Sequence, residues 1–202
     1  HHTATEPLPD DALFLVAVSG GPDSLALAWA AAFVIPRAGY RLEAVILDHG
    51  HQAESGDVAA DAKATLENLG IATTIVAVDL GEGGNIEARA RQARYDALED
   101  VAHQRGAVGV LLGHTLDDQA ETVLMGLTRG SGPGSIQGMG QISGLWWRPF
   151  LGLSRQTTTQ VCRDVPLSWW DDPHNTDPRF LRPRIRHEVM PLLENTMGPG
   201  VA

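Results

Sequence analysis

The chain is poor in cysteine, lysine and aromatic residues, and it has no long apolar run. A single cysteine, Cys162, among 202 residues permits no internal disulfide, and alone it cannot complete a zinc or iron–sulfur site within this chain. A reducing, cytoplasmic compartment is the expectation. Uninterrupted apolar stretches fall well short of the roughly 20 residues that a membrane span requires, and the strip from Leu25 to Ile35 continues directly from a glycine motif. The expected protein is soluble, with no membrane partner. Lys63 is the only lysine, and 15 basic against 25 acidic residues leave a formal net charge of −10. That balance excludes a protein that coats nucleic acid nonspecifically, because such binding is driven by clustered cations. What is present is ordinary globular material, 43% hydrophobic and 20% charged, enough to bury the core of one domain. His1 and His2 precede no initiator Met and are expected to be the remnant of a purification tag.

The average charge hides an asymmetry. Residues 1–128 carry 7 Lys+Arg against 19 Asp+Glu, whereas residues 129–202 carry 8 against 6. Four of those eight, Arg179, Arg182, Arg184 and Arg186, fall within eight positions. Arginine favours planar, bidentate phosphate recognition, although codon usage in a GC-rich genome gives the same bias.

Apolar runs and helical spacing alternate from the start. Strands are predicted over residues 13–18, 42–47, 73–78 and 108–112, and helices over 24–34, 58–69, 85–105 and 117–128. Short connections between them predict an α/β fold: a doubly wound parallel sheet flanked by helices, with right-handed crossovers. Residues 130–144 then bring Gly130, Gly132, Pro133, Gly134, Gly138, Gly140 and Gly144, the composition of a loop or linker. Beyond it the spacing predicts a short strand at 146–150 and helices at 154–163 and 185–193 as a small C-terminal extension.

Three motifs stand at predicted strand ends. Ser19-Gly20-Gly21-Pro22-Asp23-Ser24 joins a buried strand to a helix. Glycines let the backbone turn tightly, and the first N–H groups of a helix lack internal partners, so an oxyanion is the natural occupant. The plainer reading is a capped strand-to-helix turn. No Gly-Lys-Ser/Thr follows, which excludes a Walker A loop. Leu47-Asp48-His49-Gly50 ends the second strand. After the fourth, Gly113-His114-Thr115-Leu116-Asp117-Asp118-Gln119-Ala120-Glu121-Thr122 opens a helix, with most of His114, Asp117, Asp118 and Glu121 on one face. Acidic residues there also serve as ordinary dipole partners.

The first hexapeptide resembles the PP-loop of the N-type ATP pyrophosphatases. All three motifs together resemble the tRNA(Ile)-lysidine synthetase family. Further matches are Asn85-Ile86-Glu87 with Ala90-Arg91-Gln92-Ala93-Arg94-Tyr95, Arg129-Gly130-Ser131-Gly132, Arg148-Pro149-Phe150-Leu151, and the stretch Asp172 to Arg186. In that stretch His174, Phe180 and Pro183 depart from the family pattern, while Asn175, Asp177, Arg182 and Arg186 follow it.

The resemblance implies ATP and Mg²⁺ as cofactors, and L-lysine and an isoleucine tRNA with a CAU anticodon as substrates. The reaction would adenylylate C2 of the wobble cytidine, after which the lysine amine displaces AMP and leaves lysidine, with pyrophosphate released earlier. It implies that Ser19, Gly20, Gly21, Pro22, Asp23 and Ser24 hold the pyrophosphate, that Asp23 and Asp117 are metal ligands, and that Asp48, Asp117, Asp118 and Glu121 bind lysine and help deprotonate it. His114 and Arg91 would stabilise the α-phosphate, with Arg94 beside them. Arg148, Asn175, Arg182 and Arg186 would touch tRNA, and Trp146, Trp147, Trp169 and Trp170 either stack on a base or pack in the core. The implied organisation is a tail over 1–10, a catalytic domain over 11–194 that includes the glycine loop 130–144 and a tRNA-contacting segment 171–187, and a tail over 195–202. Family members continue into a further tRNA-gripping region, so this chain is expected to bind ATP and to modify tRNA weakly or not at all. Whether it acts as a monomer or a homodimer is left open. Two rival readings stand: another AMP-forming PP-loop enzyme, and a noncatalytic ATP-binding module.

Overall fold

The computed structural model describes residues 7–48, 55–78, 86–128, 130, 137–198 and 200–202. His49, Gly50, Asn85 and residues 131–136 lie outside them. The described elements are β1 (Leu13–Val18), α1 (Pro22–Arg37), β2 (Arg41–Asp48), α2 (Ser55–Asn68), β3 (Ala72–Ala77), α3 (Ile86–Arg105), β4 (Gly109–Leu111), α4 (Leu116–Thr128), β5 (Ile142–Ser143), β6 (Trp146–Trp147), α5 (Arg155–Asp164), a 3₁₀ turn at Pro173–Asn175, α6 (Leu181–Arg184), a π-helical stretch at Ile185–Val189, and α7 (Met190–Met197).

One six-stranded sheet has the order β3-β2-β1-β4-β6-β5, parallel except for β5 against β6. β1 is central, and both of its faces are apolar because both are covered. Phe14, Val16 and Val18 pack with Leu25, Ala28, Ala62 and Leu66 from α1 and α2, and with Cys162 from α5. Leu13 and Leu15 point the other way, onto Leu98 and Ala102 of α3. Burying each such large side chain contributes about 1.5–3 kcal/mol.

Helices α1 and α2 lie on one face and α3 on the other, so the winding reverses between β1 and β4. The carboxyl ends of these neighbouring strands diverge there, forming the crevice where doubly wound sheets bind ligands. Both motif-bearing loops leave from it.

The structure departs from expectation in three places. Only Trp146–Trp147 of the predicted 146–150 strand joins the sheet, since Pro149 has no N–H to offer a ladder. The second half of the glycine stretch is not a free linker: Ile142–Ser143 pairs with β6. Helix α4 buries Asp118, Glu121 and Gly126, not an apolar stripe. Trp146 and Trp147 are packing residues, edge-on to Tyr95 at 4.7 Å and to Phe14 at 5.2 Å.

Candidate active site

The loop after β1 is shaped by its glycines and closed by its serines. Gly20 has φ +83°, a conformation that side chains with a Cβ disfavour. Ser24 Oγ donates to the Gly21 carbonyl at 2.9 Å and accepts from Ser19 N–H at 3.2 Å, so it braces the turn from within. The Gly20 carbonyl accepts from Trp170 N–H at 3.0 Å. Helix α1 then starts at Pro22, whose missing N–H is no loss at a first helical position. Gly113, at the end of β4, lies so close that a Cβ there would be 3.0 Å from the Asp23 carbonyl oxygen. The two strand-end motifs are therefore in backbone contact.

Their acidic side chains meet on one arginine. The Arg155 backbone N–H donates to Asp117 Oδ2 at 2.7 Å. Its guanidinium reaches Asp118 Oδ1 at 2.9 Å, Asp23 Oδ2 at 3.3 Å and Glu121 Oε1 at 3.4 Å. Burial opposes its charge, but these carboxylates outweigh burial and raise the Arg155 pKa further. Thr158, one turn along α5, also donates to Asp23. Burial nevertheless pushes the Asp23 carboxyl above its ordinary range, against the Thr158 and Arg155 contributions. Asp118 goes the other way: burial would raise it, but Arg155 and two 2.9 Å bonds from Thr115 N–H and Oγ1–H hold it low. The backbone bond from Thr115 to Asp118 is half of a capping box at the start of α4.

Glu121 is 1% exposed. It is gripped in a fork by Arg186, with Nε at 2.7 Å and Nη2 at 3.1 Å. Arg182 stands 3.8 Å from both Glu121 and Asp118 and donates to Thr122 Oγ1 at 3.2 Å. Arg182 and Arg186, expected at the tRNA, thus turn inward onto acids. Arg179 and Arg184 turn outward; Arg179 is 82% exposed and chelated by Asp177, and Arg184 faces Glu188. Asn175 meets His187 through its carbonyl at 3.0 Å.

A second cluster is cationic. Arg148 is 7% exposed and donates to the Gly140 carbonyl at 3.1 Å. His114 is partly buried near Asp118, Arg148, Arg91 and Arg182. Burial, reinforced by the three arginines and opposed by Asp118, brings its pKa down to about 4, so its ring is neutral at neutral pH. Neither His114 Nδ1 nor Arg148 Nε has a partner among the described residues. Arg91 lies over the Tyr95 ring, 5.0 Å from its centroid. Asp48 ends β2, beside the β1 loop. Nothing in the sequence marks Arg155 or Thr158, which sit on a helix far along the chain; the i,i+4 spacing of Arg182 and Arg186 puts them on one face without saying which way that face turns.

A glycine turn at a doubly wound switch point, bordered by buried acids and by a histidine among arginines, has the layout of a ligand-binding crevice in an α/β sheet. A PP-loop domain family model matches residues 2–193, and the chain belongs to that family. It is 52% identical over 197 residues to a tRNA(Ile)-lysidine synthase of Leifsonia xyli subsp. xyli, covering 97% of this chain and 59% of that protein. Similar matches occur in Thermobifida fusca, at 50% over 98% of this chain and 61% of the relative, and Mycobacterium tuberculosis, at 51% over 93% and 55%. The chain therefore spans less than two thirds of these relatives. In fold it resembles a U34-tRNA thiolase from Methanococcus maripaludis with a [4Fe-4S] cluster, at TM-score 0.79 and 20% identity over 96% of this chain and 70% of that one.

Proposed function

We propose that this chain carries the catalytic domain, over residues 11–194, of a cytoplasmic ATP-dependent ligase that joins free L-lysine to C2 of the wobble cytidine of isoleucine tRNA with a CAU anticodon. The products are lysidine, AMP and pyrophosphate. The supporting observation is the contact of the Ser19–Ser24 turn with the Gly113–Thr122 motif across the switch point, in a chain about half identical to lysidine synthases.

The Ser19–Ser24 turn offers backbone N–H groups to the departing diphosphate. Arg91 and neutral His114, with Arg148 nearby, face the charge that develops on the α-phosphate. Free lysine arrives mostly as an ammonium ion, so a carboxylate must hold the cation and then take its proton. Asp48, Asp117, Asp118 and Glu121 form that acidic set. Asp118 and Glu121 are neutralised by arginines, whereas Asp117 makes no ion pair among the described residues and is the member of the set left to hold a cation, the lysine ammonium or Mg²⁺. No three His, Cys, Asp or Glu side chains among the described residues form a metal cage. Asp23 and Asp117, both bonded to Arg155, fit the one or two carboxylates that Mg²⁺ takes beside phosphates and water. Bound there, the ion would neutralise the diphosphate. In segment 171–187, the outward Arg179 and Arg184 and the exposed Asn175 are open to tRNA, whereas Arg182 and Arg186 turn inward onto Asp118 and Glu121 and Arg148 is buried. Among the described residues no helix is long and apolar enough to cross a membrane.

The test is incubation of the protein bearing this chain with ATP, Mg²⁺, labelled lysine and the CAU isoleucine tRNA, with elongator methionine tRNA as control. Label should enter the first tRNA alone, with AMP formed. Equal labelling of both, or ADP as product, overturns the reading; ATP binding without AMP would indicate a sensing module.

A further inference from the structure

Gln119 belongs to the α4 motif, yet it faces away from the carboxylates of that motif. Its carboxamide meets the backbone of Met139 twice. Nε2–H donates to the Met139 carbonyl at 2.8 Å, and Oε1 accepts from Met139 N–H at 2.6 Å. The neighbouring Gly138 is shaped around this contact: it has φ +65°, and a Cβ there would stand 2.7 Å from the Gln119 amide. A polypeptide backbone offers a donor and an acceptor per residue, and a side-chain amide satisfies both only in one orientation.

From Met139 the chain leads directly to Arg148. The next carbonyl, Gly140, accepts from Arg148 Nη1 at 3.1 Å, and the Gln141 carbonyl accepts from Arg148 N–H at 2.7 Å. Arg148 is 7% exposed, its Nε has no partner among the described residues, and it bears on His114. We propose that Gln119 is a positioning residue for Arg148: by gripping Met139 it fixes the Gly140 carbonyl on which the guanidinium is seated, and so holds that cation beside His114. This deepens the function proposed above and rests on it for the turnover readout alone.

His114 is faced by Asp118 of α4, by Arg91 of α3, by Arg182 of α6 and by Arg148. Of these, only Arg148 hangs from the segment that Gln119 holds. Burial is the largest cause of the lowered His114 pKa and the three arginines add to it, so releasing Arg148 should move that pKa upward.

The test compares Gln119→Leu, which keeps bulk without polar atoms, with Arg148→Ala and the double variant, using Gln119→Ala should the leucine fail to fold. His114 titration by NMR should move upward in Gln119→Leu, in the direction set by Arg148→Ala. Lysidine turnover should fall at least tenfold with the ATP KM within twofold, and adding Gln119→Leu to Arg148→Ala should cost less than twofold more. An unmoved His114 titration in folded Gln119→Leu, or losses that multiply in the double variant, overturns the proposal. If the unsubstituted protein forms no lysidine, the function reading fails while the NMR titration still decides the role of Gln119.

Discussion

At the scale of single residues, the site is a problem in charge compensation. Asp118 and Glu121 are almost removed from water, and Arg155, Arg182 and Arg186 compensate them. Removing one member of a buried pair leaves a charge without a partner, which typically costs 3–5 kcal/mol. Arg155→Ala should therefore destabilise the protein by about 3 kcal/mol or more in urea unfolding, whereas Arg155→Lys, which keeps charge but loses the fork, should recover part of it. His114 gives a pH signature. The unfolded chain protonates this ring near 6.5, but the folded one resists until about 4. The unfolded state thus binds the extra proton as pH falls through that window, and stability declines from pH 6.5 to 4 and levels off below. At about 1.4 kcal/mol for each pH unit between the two pKa values the loss is roughly 3 kcal/mol. Unfolding curves of His114→Gln across that range should lack this part of the slope.

At the scale of elements, α5 decides whether the site exists. Ser154 caps it by accepting from Thr157 N–H at 3.2 Å, and Asp117 caps it again through Arg155 N–H. Ser154→Ala should cost about 1 kcal/mol, measured as a lower unfolding midpoint, with turnover falling as Arg155 loosens. The strands of this fold were legible because β1 and β2 are apolar on both faces, which only a covered sheet satisfies, and the glycines at 19–24 marked the strand-to-helix turn that the structure has. Helix α4 was legible as a helix over 117–128, but which of its sides is buried was not. Its buried side is acidic, and periodicity finds apolar stripes; the cations that make an acidic stripe buriable come from residues 155, 182 and 186. The directions within the basic cluster were hidden for a related reason. Read as a run it is a patch, but a helix divides it, sending Arg182 and Arg186 inward and Arg184 outward. The helix also widens at Ile185–Val189, where Met190 N–H bonds the Ile185 carbonyl, just before Pro191, which has no N–H to give.

At the scale of the whole molecule, the acidic first part and the basic second part are complementary halves of one site. The nucleotide itself should act as a clamp on this assembly. A ligand bound only by the folded state stabilises it by about 2.7 kcal/mol at a hundredfold excess over Kd, so saturating ATP with Mg²⁺ should raise the unfolding temperature. Gly20→Ala should abolish most of that rise, because φ +83° cannot be kept cheaply with a Cβ present; an undiminished rise would remove the turn from the nucleotide site.

The order in which the pieces leave the ribosome follows from the placement of Arg155. A nascent chain ending before it can already assemble all six strands, but the crevice is then a knot of mutually repelling carboxylates. Those carboxylates stay uncompensated until Arg155, Arg182 and Arg186 have been added.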